Sequence, residues 1–377
     1  PLTEQRKQIA TLKNSLPKFV TTLVLQERAA PRPTKIHHRG DFLNQRDPVQ
    51  PNVPAVLPPL PEAAPKNRLT LAKWLVDENN PLVGRVVMNR IWSHYFGRGI
   101  VYTIEDFGVM GQKPTHPQLL DWLATELPRQ KWSMKAMHRL IVTSATYRQS
   151  SRLTPSLRER DPDNILLARG PRMRVEAEIV RDIALTASGL LSRKIGGPSV
   201  FPPQPAGISE LSYGPLKWVT SPGEDRYRRG LYTFFKRTSP YPGLTVFDAP
   251  SSELVCARRI RSNTPLQALT VLNDQVFVEA AQAMALRVMR ESSDVDARAT
   301  RAIRLCLSRQ PDPQELSQIT SFYQAQLQRF HAKDADPSKV ALADPDKAPK
   351  GIDMPELAAW TTVCRAILNL DETVTKE

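Results

Sequence analysis

The sequence predicts a mainly α fold, a multi-helix domain with one or two short strands and long proline-rich loops. Apolar residues recur at helical spacing through most of the segments between residues 67 and 370. Many of those segments open on Asn, Ser, Thr or Asp, several with proline at the first helical position. Proline outnumbers glycine, 34 to 16, so the connections run extended and stiff. A chain of 377 residues is long enough for two packed units or one large helical one.

In chain order, Leu2 to Leu25 reads as helical, with Ile9, Leu12, Leu16, Phe19, Val20 and Leu23 on a rough helical period. Pro17 divides it into two shorter helices. Residues 31–66 form a proline-rich connector, with a short strand expected over Lys35 to Phe42. Within it, Arg39-Gly40-Asp41 spells an adhesion tripeptide, which chance explains.

The main helical domain spans 67–377. Asn67 caps a helix through Trp74, and Pro81 opens one that stops at Gly97. Thr115-His116-Pro117 starts a third and Ser133 caps a fourth, Met134 to Ala145. Arg152 to Arg172 reads as irregular. Val175 to Leu191 is a helix with an expected buried stripe of Val175, Ile179, Ile183, Ala187 and Leu190. Ser199 to Gly230 is a long loop, and Leu231 to Lys236 reads as a strand from its Tyr, Thr and Phe content. Asn263-Thr264-Pro265 starts a helix, Asn273-Asp274 recaps a second, and three more follow, the last over Pro355 to Leu370. A mobile linker is expected near 332–351.

Lys and Arg outnumber Asp and Glu by 52 to 38, a net charge of +14. That balance attracts an anionic partner without choosing among polysaccharide, lipid, nucleic acid and acidic protein. Cys256, Cys306 and Cys364 sit beside apolar neighbours and read as buried free thiols, with one disulfide left open. None lies in C-x-x-C or C-x-x-C-H spacing, which excludes haem attachment within this chain. No P-loop, G-x-G-x-x-G or G-x-S-x-G occurs, so common nucleotide and serine-hydrolase chemistry is not expected. The chain starts at Pro1 and holds no apolar run of membrane-spanning length, so it reads as a processed or partial chain that is soluble as given.

Several motifs carry a family resemblance. They are Met88-Asn89-Arg90-Ile91-Trp92, Phe96-Gly97-Arg98-Gly99, Asp106-Phe107-Gly108, Pro114-Thr115-His116-Pro117, Ser144-Ala145-Thr146-Tyr147-Arg148, Phe247-Asp248-Ala249-Pro250 and Thr264-Pro265-Leu266-Gln267. Together they resemble the planctomycete family called domain of unknown function 1553, over roughly Asn67 to Glu372. Residues 1–30 resemble the C-terminal tail of the helical domain, numbered 1549, that precedes it. The resemblance implies an exported, periplasmic or cell-surface protein and a c-type haem on another part of the full protein, with no cofactor bound by this chain. It supplies no mechanism.

Candidate chemistry falls in two places. Arg90 and His94 are i,i+4 neighbours on one helix, and Asp106 and His116 follow in loops. Converging, these four would bind an anion or do acid–base work; separate, they would hold loops. His94, Asp106 and His116 match no compact metal motif, so no metal is assigned. Lys236, Arg237, Arg258, Arg259 and Arg261 lead toward the Asn263 helix start and make an anion site, or staple loops. Asn89, Asp248, Asn273 and Asp274 are the remaining polar candidates. Glu178, Arg181 and Asp182 read as a water-facing charged stripe. The expected partners are an acidic polysaccharide and a cytochrome c domain or partner subunit. A docking scaffold is the alternative, and nucleic acid is disfavoured because no recognition motif occurs.

Overall fold

The computed structural model describes residues 2–16, 21–208, 217–342 and 350–376. Two compact units divide after Gly84. In the first, α1 (Leu2–Ser15) buries none of its residues. Residues 21–25 are not helical, so they extend no second helix; Phe19 and Val20 lie outside the described residues. β1 (Thr34–His37) pairs antiparallel with β2 (Gln45–Val49). The strand expected over 35–42 ends early because a 3-10 turn at His38–Gly40 reverses the chain, with Arg39 at φ +51°. α2 (Arg68–Leu75) is capped as expected: the Thr70 N–H donates to Asn67 Oδ1 at 2.9 Å. Trp74 Nε1 donates to Pro58 O at 2.7 Å, which pins the proline run to that helix.

The second unit holds two hydrophobic clusters. α3 (Val83–Phe96), α4 (Pro117–Arg129) and α5 (Met134–Val142) supply Met88, Trp92, Leu123, Leu127 and Met137 to the first. Ser133 caps α5, and Pro117 occupies the first position of α4. A short α6 (Pro155–Arg160), capped by Thr154, falls in the stretch read as irregular. β3 (Met173–Arg174) leads into α7 (Ala177–Ser188).

The larger cluster forms from α7, α8 (Pro242–Thr245), α9 (Pro265–Asn273), α10 (Gln275–Glu291), α11 (Val295–Leu307), α12 (Pro313–His331), α13 (Pro337–Ala341) and α14 (Met354–Leu368). α14 is its centre and packs on α10, α12 and α13. Capping boxes open α9 and α12, and Asp274 caps α10 as expected. α13 lies inside the stretch expected to be a linker; its Ala341 is fully buried, and 343–349 lie outside the described residues. After α15 (Asp371–Val374), β4 (Thr375–Lys376) pairs antiparallel with β3, and Lys376 Nζ donates to Tyr95 O at 3.0 Å. The last residues thereby tie the two clusters together beside β3.

Three further expectations are corrected. Residues 231–236 are not a strand: a 3-10 turn occupies Gly230–Tyr232, and Thr233 makes one isolated bridge to Val200. Among the described residues, strand-like composition there finds no partner strand to complete a ladder. Secondly, α7 is turned relative to its apolar stripe. Ala177, Val180, Ala184, Leu185 and Ala187 are buried, whereas Ile179 is exposed. Arg181 and Asp182 are buried as well, because the 223–232 segment covers them. Arg181 donates to Arg226 O at 2.8 Å, and Asp182 accepts from Arg229 Nε and the Gly230 N–H, both at 2.7 Å. Gly230 is required there, since a Cβ would meet the Glu178 backbone at 2.6 Å. Thirdly, Cys256 is exposed. Cys306 and Cys364 do sit in apolar surroundings, where burial pushes the Cys306 thiol up to about 12 and Cys364 well above its usual range. All three thiols are unpaired.

Candidate functional site: an arginine-lined cleft

The site forms where the C-terminal end of α3, β3, the start of α7 and the loop before α9 meet. Gly97 ends α3 at φ +75°, packed so closely on Met173 that a Cβ would approach its sulfur to 3.0 Å. Asn89, fully buried, then fixes the outgoing loop: its Nδ2 donates to Val101 O at 2.9 Å and its Oδ1 accepts the Val101 N–H at 2.8 Å. These bonds set Arg98 and Tyr102 beside α3.

The loop before α9 is fixed by Asp248 and Arg174. Asp248 sits at φ +63° and accepts from the Ser262 N–H at 2.8 Å and the Ser262 hydroxyl at 2.9 Å. Arg174, buried, pairs with Asp248 and donates to Ser262 O at 2.6 Å and Phe247 O at 3.2 Å. Burial raises the Asp248 pKa, but the Ser262 bonds and the Arg174 charge outweigh it, and the carboxyl stays below its ordinary range. Asn263 follows, donating to Asp371 Oδ1 at 2.8 Å, and Asp371 also pairs with Arg172 at 2.6 Å.

Two adjoining cavities result. One, of about 310 Å³, is lined by Arg90, His94, Arg98, Tyr102, Glu176 and Cys256 together with Arg258, Arg259 and Arg261. The other, of about 580 Å³, shares Gly97, Tyr102, Arg258, Arg259 and Arg261 with it and adds Arg172, Arg174, Asn263 and Asp371. Seven arginines thus line the pair against two carboxylates, Glu176 and Asp371.

Glu176 is the internal anion of the cleft. His94 Nδ1 lies 3.5 Å from Oε1, Arg259 Nη1 3.0 Å from Oε2 and Arg261 Nη2 3.5 Å from Oε1. Arg259 also reaches Glu178 at 2.8 Å. The His94 contact first, then the Arg259 charge, hold the Glu176 carboxyl down at about 2 despite its partial burial. A depressed carboxylate stabilises the fold fully above its ordinary value of 4.5, and that contribution is lost as pH falls toward 2. The His94 contact is long, so we expect about 1–2 kcal/mol. Unfolding midpoints of Glu176→Gln and wild type should therefore converge between pH 4.5 and 2; a gap that stays constant with pH would contradict this assignment.

Three other cleft arginines, Arg90, Arg98 and Arg258, lack a close acid partner among the described residues. Arg90 and Arg98 have no carboxylate partner among the described residues, and the Arg98 guanidinium lies 4.1 Å from the Tyr102 ring centroid. Arg258 also lies over that ring, at 4.9 Å, and reaches Glu105 only at 3.6 Å. Nε of Arg98 and Nε of Arg261 are buried without a hydrogen-bond partner.

Of the expected site residues, Arg90, His94, Arg258, Arg259, Arg261 and Asn263 converge here. The rest do not line these cavities. Asp106 accepts the Gly108 N–H at 2.6 Å and closes a turn. His116 precedes α4, with Nδ1 2.9 Å from the Thr115 hydroxyl. Lys236 and Arg237 follow the 3-10 turn at Gly230–Tyr232. Asn273 donates back to Leu269 O at 2.9 Å, and Asp274 caps α10 with its carboxyl pushed up by burial. Asn89 and Asp248 serve as clamps. Sequence reasoning missed Arg98, Tyr102, Arg172 and Glu176. Arg98 was signalled by its place between Gly97 and Gly99. Glu176 was hidden because its partners are 82 to 85 residues away in sequence.

No group of three or more His, Cys, Asp or Glu side chains that could hold a metal occurs among the described residues. Nor is any helix among them long and apolar enough to cross a membrane. A family model described as PSD1, protein of unknown function (DUF1553), matches residues 67–323. The comparisons with curated proteins and with solved structures find no match.

Proposed function

The chain belongs to the PSD1 (DUF1553) family, and from that premise we propose that its arginine cleft binds an extended polyanion, with an acidic polysaccharide as the ligand class. The observation that carries this reading is the pair Arg90 and Arg98, cationic, cleft-lining and without carboxylate partners among the described residues. Arginine forks match carboxylate and sulfate oxygens. Two contiguous cavities sharing Arg258, Arg259 and Arg261 suit a ligand carrying several anionic groups rather than one. Both volumes fall in the range of ligand sites. The exported setting implied by the family resemblance is where such polymers are met. The associated haem domain is tested by co-purification, read from c-type haem absorption in the bound fraction.

Binding to sulfated and uronate-rich polysaccharides should be measurable at low salt and should weaken steeply as salt is added. Arg90→Ala and Arg98→Ala should each cost about 1.5–3 kcal/mol of affinity, roughly tenfold or more. Neither should move the unfolding midpoint appreciably. Absence of binding to every member of an acidic-polysaccharide panel at low salt would remove the reading, and stronger binding to DNA would transfer the cleft to nucleic acid.

A catalytic role for His94 is the second reading. It is favoured by the ring's position beside the Glu176 carboxylate, an arrangement that orients an imidazole for acid–base work. A bound polysaccharide whose chain length stays constant on incubation would sink it.

A further inference from the structure

The loops that form the cleft also carry a surface the polyanion reading does not use. Leu254, Val255 and Ile260 are 85%, 100% and 76% exposed, and Val109 and Met110 are 102% and 89% exposed. These are two pairs of adjacent aliphatics at loop tips, plus one more, rather than scattered single residues. α9 also exposes Leu266 and Leu269 on its outer face, while its Gln267 and Val271 are buried.

Loop 254–260 lines the smaller cavity, and loop 105–111 starts directly after two residues that line it. Cys256 and Arg258 line it from one side, Tyr102 and Ile104 from the other. Arg258 joins them directly, 3.6 Å from Glu105 and over the Tyr102 ring. The loops with exposed aliphatic tips therefore adjoin Arg98 and Arg258, neither of which has a close acid partner among the described residues.

That combination matches an anionic bilayer better than a protein partner. The aliphatic side chains stand almost fully free, a profile that a deformable medium accepts. The adjoining arginines complement phosphate headgroups, and charge plus buried apolar area is what drives interfacial binding. We propose that loops 105–111 and 254–260 dock on an anionic lipid surface, with Val109, Met110, Leu254 and Val255 entering the acyl-chain boundary.

The test is co-sedimentation of the full chain with vesicles of phosphatidylcholine alone and of phosphatidylcholine mixed with phosphatidylglycerol. Wild type should sediment with the mixed vesicles and much less with the neutral ones. The double variants Leu254→Ser/Val255→Ser and Val109→Ser/Met110→Ser should each weaken that binding by about tenfold or more. Both should bind a soluble sulfated polysaccharide as wild type does, which separates this surface from the cleft and reports an intact fold. Absence of sedimentation with mixed vesicles would overturn the proposal. So would serine variants that bind vesicles like wild type, since the arginines alone would then account for the attraction. A wild-type dimer converted to monomer by the same variants would assign the aliphatics to a second copy of the chain instead.

Discussion

Trp360→Ala is expected to lower the free energy of unfolding by about 3–5 kcal/mol. Trp360 lies in the middle of α14, is fully buried, and stacks on Tyr323 with ring centroids 4.5 Å apart. Because α14 packs on α10, α12 and α13, the vacated volume is walled by several helices that cannot all collapse into it. Trp360→Phe should cost far less. It keeps an aromatic ring against Tyr323 and most of the buried apolar volume. Denaturant midpoints of the three proteins give the comparison, with near-ultraviolet circular dichroism reporting whether tertiary packing survives. Equal losses for Ala and Phe would mean that the indole contributes something beyond volume, contrary to the packing argument.

Asp248→Ala carries the second large effect, also about 3–5 kcal/mol, by a different mechanism. The substitution leaves the buried Arg174 guanidinium without its carboxylate and frees the Ser262 N–H and hydroxyl. It also places alanine at φ +63°, where Asp and Asn are better tolerated. Asp248→Asn should lose less, since Asn accepts the Ser262 N–H and suits that backbone conformation. Both variants should also weaken polyanion binding, because Asp248 holds Ser262 and, through it, the Arg258–Arg261 side of the cleft. The signature separates a clamp from a ligand-binding residue: Asp248 variants should lose stability and binding together, Arg90 and Arg98 variants binding alone. An Asp248→Ala protein of wild-type midpoint would refute the clamp.

The elements legible in the sequence are those written in local chemistry. Asn67, Ser133 and Asp274 cap the helices expected of them, and Thr264 opens α9 with a capping box. Each such signal closes within three residues, so nothing distant can alter it. The 231–236 strand failed because strand character counts only when a second strand completes the ladder, and Val200 supplies a single bridge. The face of α7 failed because Arg181 and Asp182 reach carbonyl, N–H and guanidinium partners some 45 to 48 residues away, and those bonds permit burial.

The arginine cleft shows the same division. The sequence by itself determined a helical scaffold, stiff proline-rich connections, a net charge of +14 and the presence of Arg90, His94, Arg258, Arg259 and Arg261. It did not determine which arginines are satisfied, because a guanidinium carries the same charge whether or not a carboxylate lies in reach. Only the tertiary structure gave Arg174 to Asp248 and Arg259 to Glu176 and Glu178, while leaving Arg90 and Arg98 without an acid among the described residues. Ion pairing at 3 Å depends on distance in space, and residues 74 to 83 positions apart acquire that distance only when the chain has packed.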